Sequence, residues 1–236
     1  MALAYVQDNN GTTTPVSGTA SSGTLTSVGN GNIIVGFMLW DVGSSNEAGI
    51  TVISATDSSG DTVTMRGTIQ YSSLVKYYVQ GFTVVNASNT ASHTITITTT
   101  NTLGLSGSGV YLLEYSGQDA AAPYDTAAGA TGIDNTLPTV SISTSVANEY
   151  LIFAGVFGAS LTGGTGVTIQ ISNTGTWYQR GGDKLAASSG SNTFAMSGNA
   201  TTGWVLHGVA IKPAGGVGTT PLTFTGSDSL AGGELL

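Results

Sequence analysis

One strand design occurs twice in this chain. Ser27-Val28-Gly29-Asn30-Gly31-Asn32 leads into Ile33-Ile34-Val35-Gly36-Phe37-Met38-Leu39-Trp40, and Ser145-Val146-Ala147-Asn148-Glu149 leads into Tyr150-Leu151-Ile152-Phe153-Ala154-Gly155-Val156-Phe157. Each copy reads as a turn followed by a long buried strand. Asn and Gly supply the turn because they tolerate positive φ. Unbroken apolar runs rich in β-branched and aromatic residues suit a strand covered on both faces.

Other pairs extend the repeat. Asp61-Thr62-Val63-Thr64-Met65-Arg66-Gly67 matches Gly175-Thr176-Trp177-Tyr178-Gln179-Arg180-Gly181 through its Arg-Gly end. Tyr111-Leu112-Leu113-Glu114-Tyr115-Ser116-Gly117 matches His207-Gly208-Val209-Ala210-Ile211-Lys212-Pro213 as a closing strand. The expectation is an all-β chain, an antiparallel β-sandwich of jelly-roll-like type, with about five strands in each of two pseudo-repeated halves. The halves are placed at 1–117 and 138–213, joined by a connector over 116–137, and each is expected to contribute to both sheets.

Composition supports this and excludes several functions. Charged residues make up 8% of the chain, against a usual ~25%. Such a chain escapes disorder only because its apolar residues, 40% of the total, fall in short strand-like runs. His93 to Thr100 is one, with Ile95 and Ile97 on one face and threonines on the other. The surface is then neutral and coated with hydroxyls.

The net charge is −8, and Arg66, Lys76, Arg180, Lys184 and Lys212 are the fixed cations. They form no basic stripe, so no nucleic-acid partner is expected. There is no cysteine, hence no disulfide or thiolate chemistry. No apolar run approaches the ~20 residues of a helical membrane span, so no membrane partner is expected. Met1 to Asp8 lacks the basic and apolar regions of a signal peptide.

Candidates for chemistry are few. The histidines are His93, which begins a Thr-rich strand, and His207, which lies in an apolar one. A structural role is expected for both, and no catalytic residue or cofactor is expected. Glu114 is expected to point outward among Tyr111 and Tyr115, since burial would demand a cation. Asp57-Ser58-Ser59-Gly60-Asp61 reads as a hairpin turn, with Thr62 to Arg66 as its second arm. Asp57 and Asp61 also offer the oxygen donors that calcium takes, but the run departs from the EF-hand pattern and a plain turn accounts for it. Tyr77, Tyr111, Tyr115, Trp177 and Tyr178 are candidates for a glycan platform, with core packing as the alternative.

After Pro213 the composition changes. Residues 214–220 read as a flexible linker, followed by an arm whose apolar contacts are Pro221, Leu222, Phe224, Leu235 and Leu236. The arm either frays or docks on a neighbour by adding a strand.

Three short motifs carry a resemblance: Glu114-Tyr115-Ser116-Gly117 at a strand end, Ala147-Asn148-Glu149-Tyr150-Leu151 before a buried strand, and Ala210-Ile211-Lys212-Pro213 at the close. Across roughly residues 27–213 the chain resembles the Gly/Ser/Thr-rich β-sandwich modules of tailed-phage structural proteins and environmental bacterial surface proteins. The resemblance implies a non-enzymatic virion protein, foremost a capsid decoration or cement protein. It would bind a major capsid protein or another virion protein and form a homo-oligomer. The implied location is the virion, after folding in the host cytoplasm. A tail or fibre module and a carbohydrate-binding adhesin are the alternatives. A hydrolase on a jelly-roll scaffold ranks last, because it needs His or Glu side chains converging in a pocket.

Overall fold

The computed structural model describes residues 2–9, 13–17, 20–42, 49–100, 108–174 and 177–215. All regular structure among them is β-strand. In the first half the strands are β1 (Ala4–Asp8), β2 (Thr13–Ser17), β3 (Ala20–Thr26), β4 (Ile33–Asp41), β5 (Val52–Asp57), β6 (Val63–Ser72), β7 (Tyr77–Val84), β8 (Ser92–Thr99) and β9 (Gly109–Ser116). The second half holds β10 (Tyr124–Gly132), β11 (Thr139–Thr144), β12 (Glu149–Phe157), β13 (Thr162–Gly163), β14 (Val167–Thr174), β15 (Tyr178–Ala186), β16 (Gly190–Ser197) and β17 (Trp204–Ile211).

Four antiparallel sheets result. The first half builds an inner sheet of order β1-β9-β4-β7-β6 and an outer sheet of order β2-β3-β8-β5. The second half builds an inner sheet β10-β17-β12-β15-β14 and an outer sheet β11-β16-β13. With β2 set aside as an added edge, each half has eight strands counted from its own start. In both, the inner order is then first-eighth-third-sixth-fifth and the outer order second-seventh-fourth. One jelly-roll-like winding has been used twice.

The two inner sheets face each other, so the stack runs outer, inner, inner, outer. The period-two alternation of a strand explains the apolar runs. On β4, Ile33, Val35, Phe37 and Leu39 enter the central core between the inner sheets, whereas Ile34, Met38 and Trp40 enter the first half's own core. On β12, Ile152, Ala154 and Val156 face the centre, and Leu151, Phe153 and Phe157 face the second half's core with Phe194 and Met196. Antiparallel sheets commonly leave one face to water. These inner sheets leave neither.

Several expectations change. No sheet mixes strands from the two halves, so each half forms its own sandwich. The repeated strands β4 and β12 do hold equivalent third positions, and the closing strands β9 and β17 equivalent eighth positions. The Arg-Gly match fails. Arg66 lies on β6, the fifth strand of its half, and Arg180 on β15, the sixth of its own. The expected connector contains β10, which opens the second inner sheet at Tyr124. The Asp57–Asp61 turn closes no hairpin: β5 pairs with β8 and β6 with β7, so the chain crosses there from outer to inner sheet.

Candidate functional site

That crossing corner brings together Asp57, Asp61 and His93, with one ligand atom of each within 4.8 Å of the others. Asp57 ends β5, and Gly60 takes φ +86° to turn the chain. Asp57 Oδ1 accepts from Ser59 N at 3.1 Å, and Gly60 N donates to the Asp57 carbonyl at 3.0 Å. Asp61 follows, and its Oδ2 and Oδ1 accept from the backbone N and hydroxyl of Ser88, each at 2.7 Å.

His93, the second residue of β8, fills the space between them and is fully buried. Its Nε2 donates to the Ser88 carbonyl at 2.8 Å. Its Nδ1 lies 2.7 Å from Asp57 Oδ2, 3.9 Å from Asp61 Oδ2 and 3.0 Å from Ser59 Oγ. Burial works against the His93 charge, but the Asp57 bond and the Ser88 carbonyl outweigh it and raise its pKa. Burial would raise the Asp61 carboxyl. The two Ser88 hydrogen bonds and His93 outweigh it and hold that carboxyl below its usual range.

A serine–histidine–carboxylate relay needs serine and carboxylate on opposite ring nitrogens. Here Ser59 and Asp57 share Nδ1, while Nε2 is committed to a carbonyl. The geometry supports no proton relay. Nδ1 either carries a proton toward Asp57 or turns a lone pair toward a cation shared by the two carboxylates.

The other singled-out residues lie elsewhere. Glu114 is fully buried, contrary to the outward expectation. It needs no cation, because Gln7 Nε2 (2.5 Å), Asn32 Nδ2 (2.6 Å) and Gly29 N (2.7 Å) donate to its carboxylate. Tyr77, Tyr111 and Tyr115 are buried in the central core, so they form no surface platform for a sugar. Tyr111 donates to Gln179, Gln179 Nε2 donates to the Tyr77 hydroxyl at 3.2 Å, and Tyr115 donates to Asp183. Trp177 and Tyr178 are half-buried but pack into different cores, so they do not share a face. Pro221, Leu222, Phe224, Leu235 and Leu236 lie outside the described residues.

Two further titratable groups are buried with polar atoms that lack a hydrogen-bond partner among the described residues. His207 faces the central core, and neither ring nitrogen reaches a hydrogen-bond partner among the described residues. Burial pushes it down to about 4, only partly opposed by the nearby Thr68 backbone. Glu149 Oε1 accepts from Val146 N at 2.9 Å, while burial, with Asp125 adding to it, pushes the carboxyl up to about 7.

An apolar hollow of about 380 Å³ lies where the two ends of the described chain meet, lined by Leu3, Ala147, Tyr150, Leu185 and Pro213.

Sequence reasoning placed Asp57 and Asp61 together but left His93 out of the site. A signal for it existed: the first half has an acidic corner and a histidine, whereas the matching corner of the second half reads Gly163-Gly164-Thr165-Gly166.

No protein-family profile, no curated protein and no solved structure matches this chain.

Proposed function

We propose that this protein is a structural component of a virus particle, a decoration or cement protein that attaches to neighbouring subunits through its terminal segments. The observation that carries the mode of attachment is the hollow at the chain ends. Leu185 remains 47% exposed beside Leu3, Tyr150 and Pro213, and residues 216–236 continue from its rim at Gly215. An apolar recess at the chain ends, together with a sequence after Gly215 that carries Leu222, Phe224, Leu235 and Leu236, suits arm-to-neighbour docking. The particle setting rests on the resemblance of residues 27–213 to phage structural modules, and the sparsely charged, hydroxyl-rich composition accords with a working life outside cells.

Light scattering on the full chain beside a version ending at Pro213 tests the attachment. The full chain should form a defined oligomer, and the shortened one should be a monomer. Two monomers would remove arm-driven self-association. Absence of co-sedimentation with capsids of the encoding virus would then overturn the decoration reading.

A further inference from the structure

We propose that Asp57, Asp61 and His93 bind one divalent transition-metal cation of the zinc class at the corner where the chain passes from outer to inner sheet. Three observations converge. The first is the donor set. One carboxylate oxygen from each aspartate and Nδ1 of His93 all lie within 4.8 Å of one another. Four-coordinate zinc with bonds of about 2.0–2.1 Å places its ligands roughly 3.3 Å apart. The Nδ1 distances of 2.7 Å to Asp57 Oδ2 and 3.9 Å to Asp61 Oδ2 bracket that value. The two carboxylate oxygens lie within 4.8 Å of each other and close on a shared cation by side-chain rotation, and Ser59 Oγ or water completes the shell.

The second observation is the supporting layer. Metal-bound histidines almost always donate the other ring N–H to a carbonyl or carboxylate, which fixes the ring. His93 does so through Nε2 to the Ser88 carbonyl, aiming Nδ1 between the aspartates. Ser88 also holds both Asp61 oxygens, and Ser59 holds both Asp57 oxygens. Asp61 keeps 19% of its side chain exposed, which gives a cation a route in.

The third is the internal comparison. The second half makes the same crossing, from β13 to β14, through Gly163-Gly164-Thr165-Gly166, and its matching strand β16 opens Gly190-Ser191. The winding therefore folds without an acid–histidine corner. Imidazole with two carboxylates favours zinc-class ions over calcium or magnesium, which prefer all-oxygen shells.

The test uses the full chain, without a histidine tag, stripped with chelator and titrated with zinc chloride by calorimetry. One zinc per chain is expected, with a melting temperature that rises with zinc concentration. Calcium chloride at the same concentrations should give no saturable binding. Asp61→Asn, at the partly exposed position, should keep the β-type circular dichroism and bind zinc about tenfold or more weakly. Asp57→Asn should act in the same direction. No saturable zinc binding would overturn the proposal and leave a buried His93–Asp57 ion pair. Binding unchanged in both variants, or calcium binding as tight as zinc, would also overturn it.

Discussion

Tyr115, on β9 of the first sandwich, donates a 2.8 Å hydrogen bond to Asp183, on β15 of the second. Both are buried, and the bond crosses the central core. Burial and the neighbouring Asp183 hold the Tyr115 hydroxyl well above its usual pKa. Burial likewise raises Asp183, partly offset by hydrogen bonds from Gln170 and Tyr115. The pair is thus a polar tie across the central core, alongside the one that Gln179 makes with Tyr111 and Tyr77.

Removing the donor alone should be costly. Tyr115→Phe leaves Asp183 with the Gln170 bond at 3.1 Å and an unmet lone pair. The expected loss is about 1–3 kcal/mol in urea denaturation. Tyr115→Phe combined with Asp183→Leu should cost less than the sum of the single changes, because no buried acceptor is then stranded.

Glu114 makes a second prediction. Its carboxylate takes three donors from two separate segments, Gln7 on β1 and Gly29 and Asn32 in the turn before β4. Glu114→Gln turns an NH₂ group toward those donors, and the expected cost is about 1–3 kcal/mol by the same denaturation measurement. A neutral outcome would mean that the three donors find other acceptors.

These two carboxylates show where the sequence was legible and where it was not. Strand positions followed from local alternation, as in β8, and the repeat followed from the double occurrence of the turn-and-strand pattern. Glu114 was misread because its partners come from other parts of the chain, and a carboxylate satisfied by N–H donors leaves no charge signal. Strand β10 was missed because, after Tyr124 and Asp125, it is built of small residues. Their size answers a tertiary demand: a Cβ on Gly129 would stand 2.3 Å from Gln70 Cγ and 3.1 Å from the His207 ring. His93 was read as an ordinary strand start because its partners Asp57 and Asp61 lie across a turn that looked like a hairpin.

Acid should weaken the fold through His207. Its pKa is about 4 when folded, against 6.5 for an ordinary histidine. Between those values the unfolded chain binds the proton and the folded chain does not, so stability falls as pH drops from 6.5 to 4. The full shift corresponds to about 3 kcal/mol. His207→Leu should remove that part of the slope, seen as a shrinking deficit of wild type against variant as pH rises.

Glu149 runs the other way. Its folded pKa of about 7 lies above the ordinary 4.5. The protonated form suits its buried site, so this group favours folding below pH 4.5 and loses that advantage as pH rises to 7. Glu149→Gln should therefore gain stability relative to wild type between pH 4.5 and 7. Thermal melts across that range measure it, and a constant difference would contradict the assigned shift.

The central core makes the last prediction. Ile33, Val35, Phe37, Tyr111, Leu113 and Tyr115 from one half pack against Ile152, Val156, Val205 and Val209 from the other, all essentially excluded from water. Each sandwich covers only one face of its inner sheet by itself. A first half cut at residue 117 would expose that whole row as a continuous apolar surface, far beyond what a soluble monomer tolerates. It should associate or aggregate, as sedimentation would show. The intact chain should melt in one calorimetric transition with matching calorimetric and van't Hoff enthalpies, because neither half holds its inner sheet without the other. Two resolved transitions would mean that each winding carries its own stability and that the shared core is only a docking face.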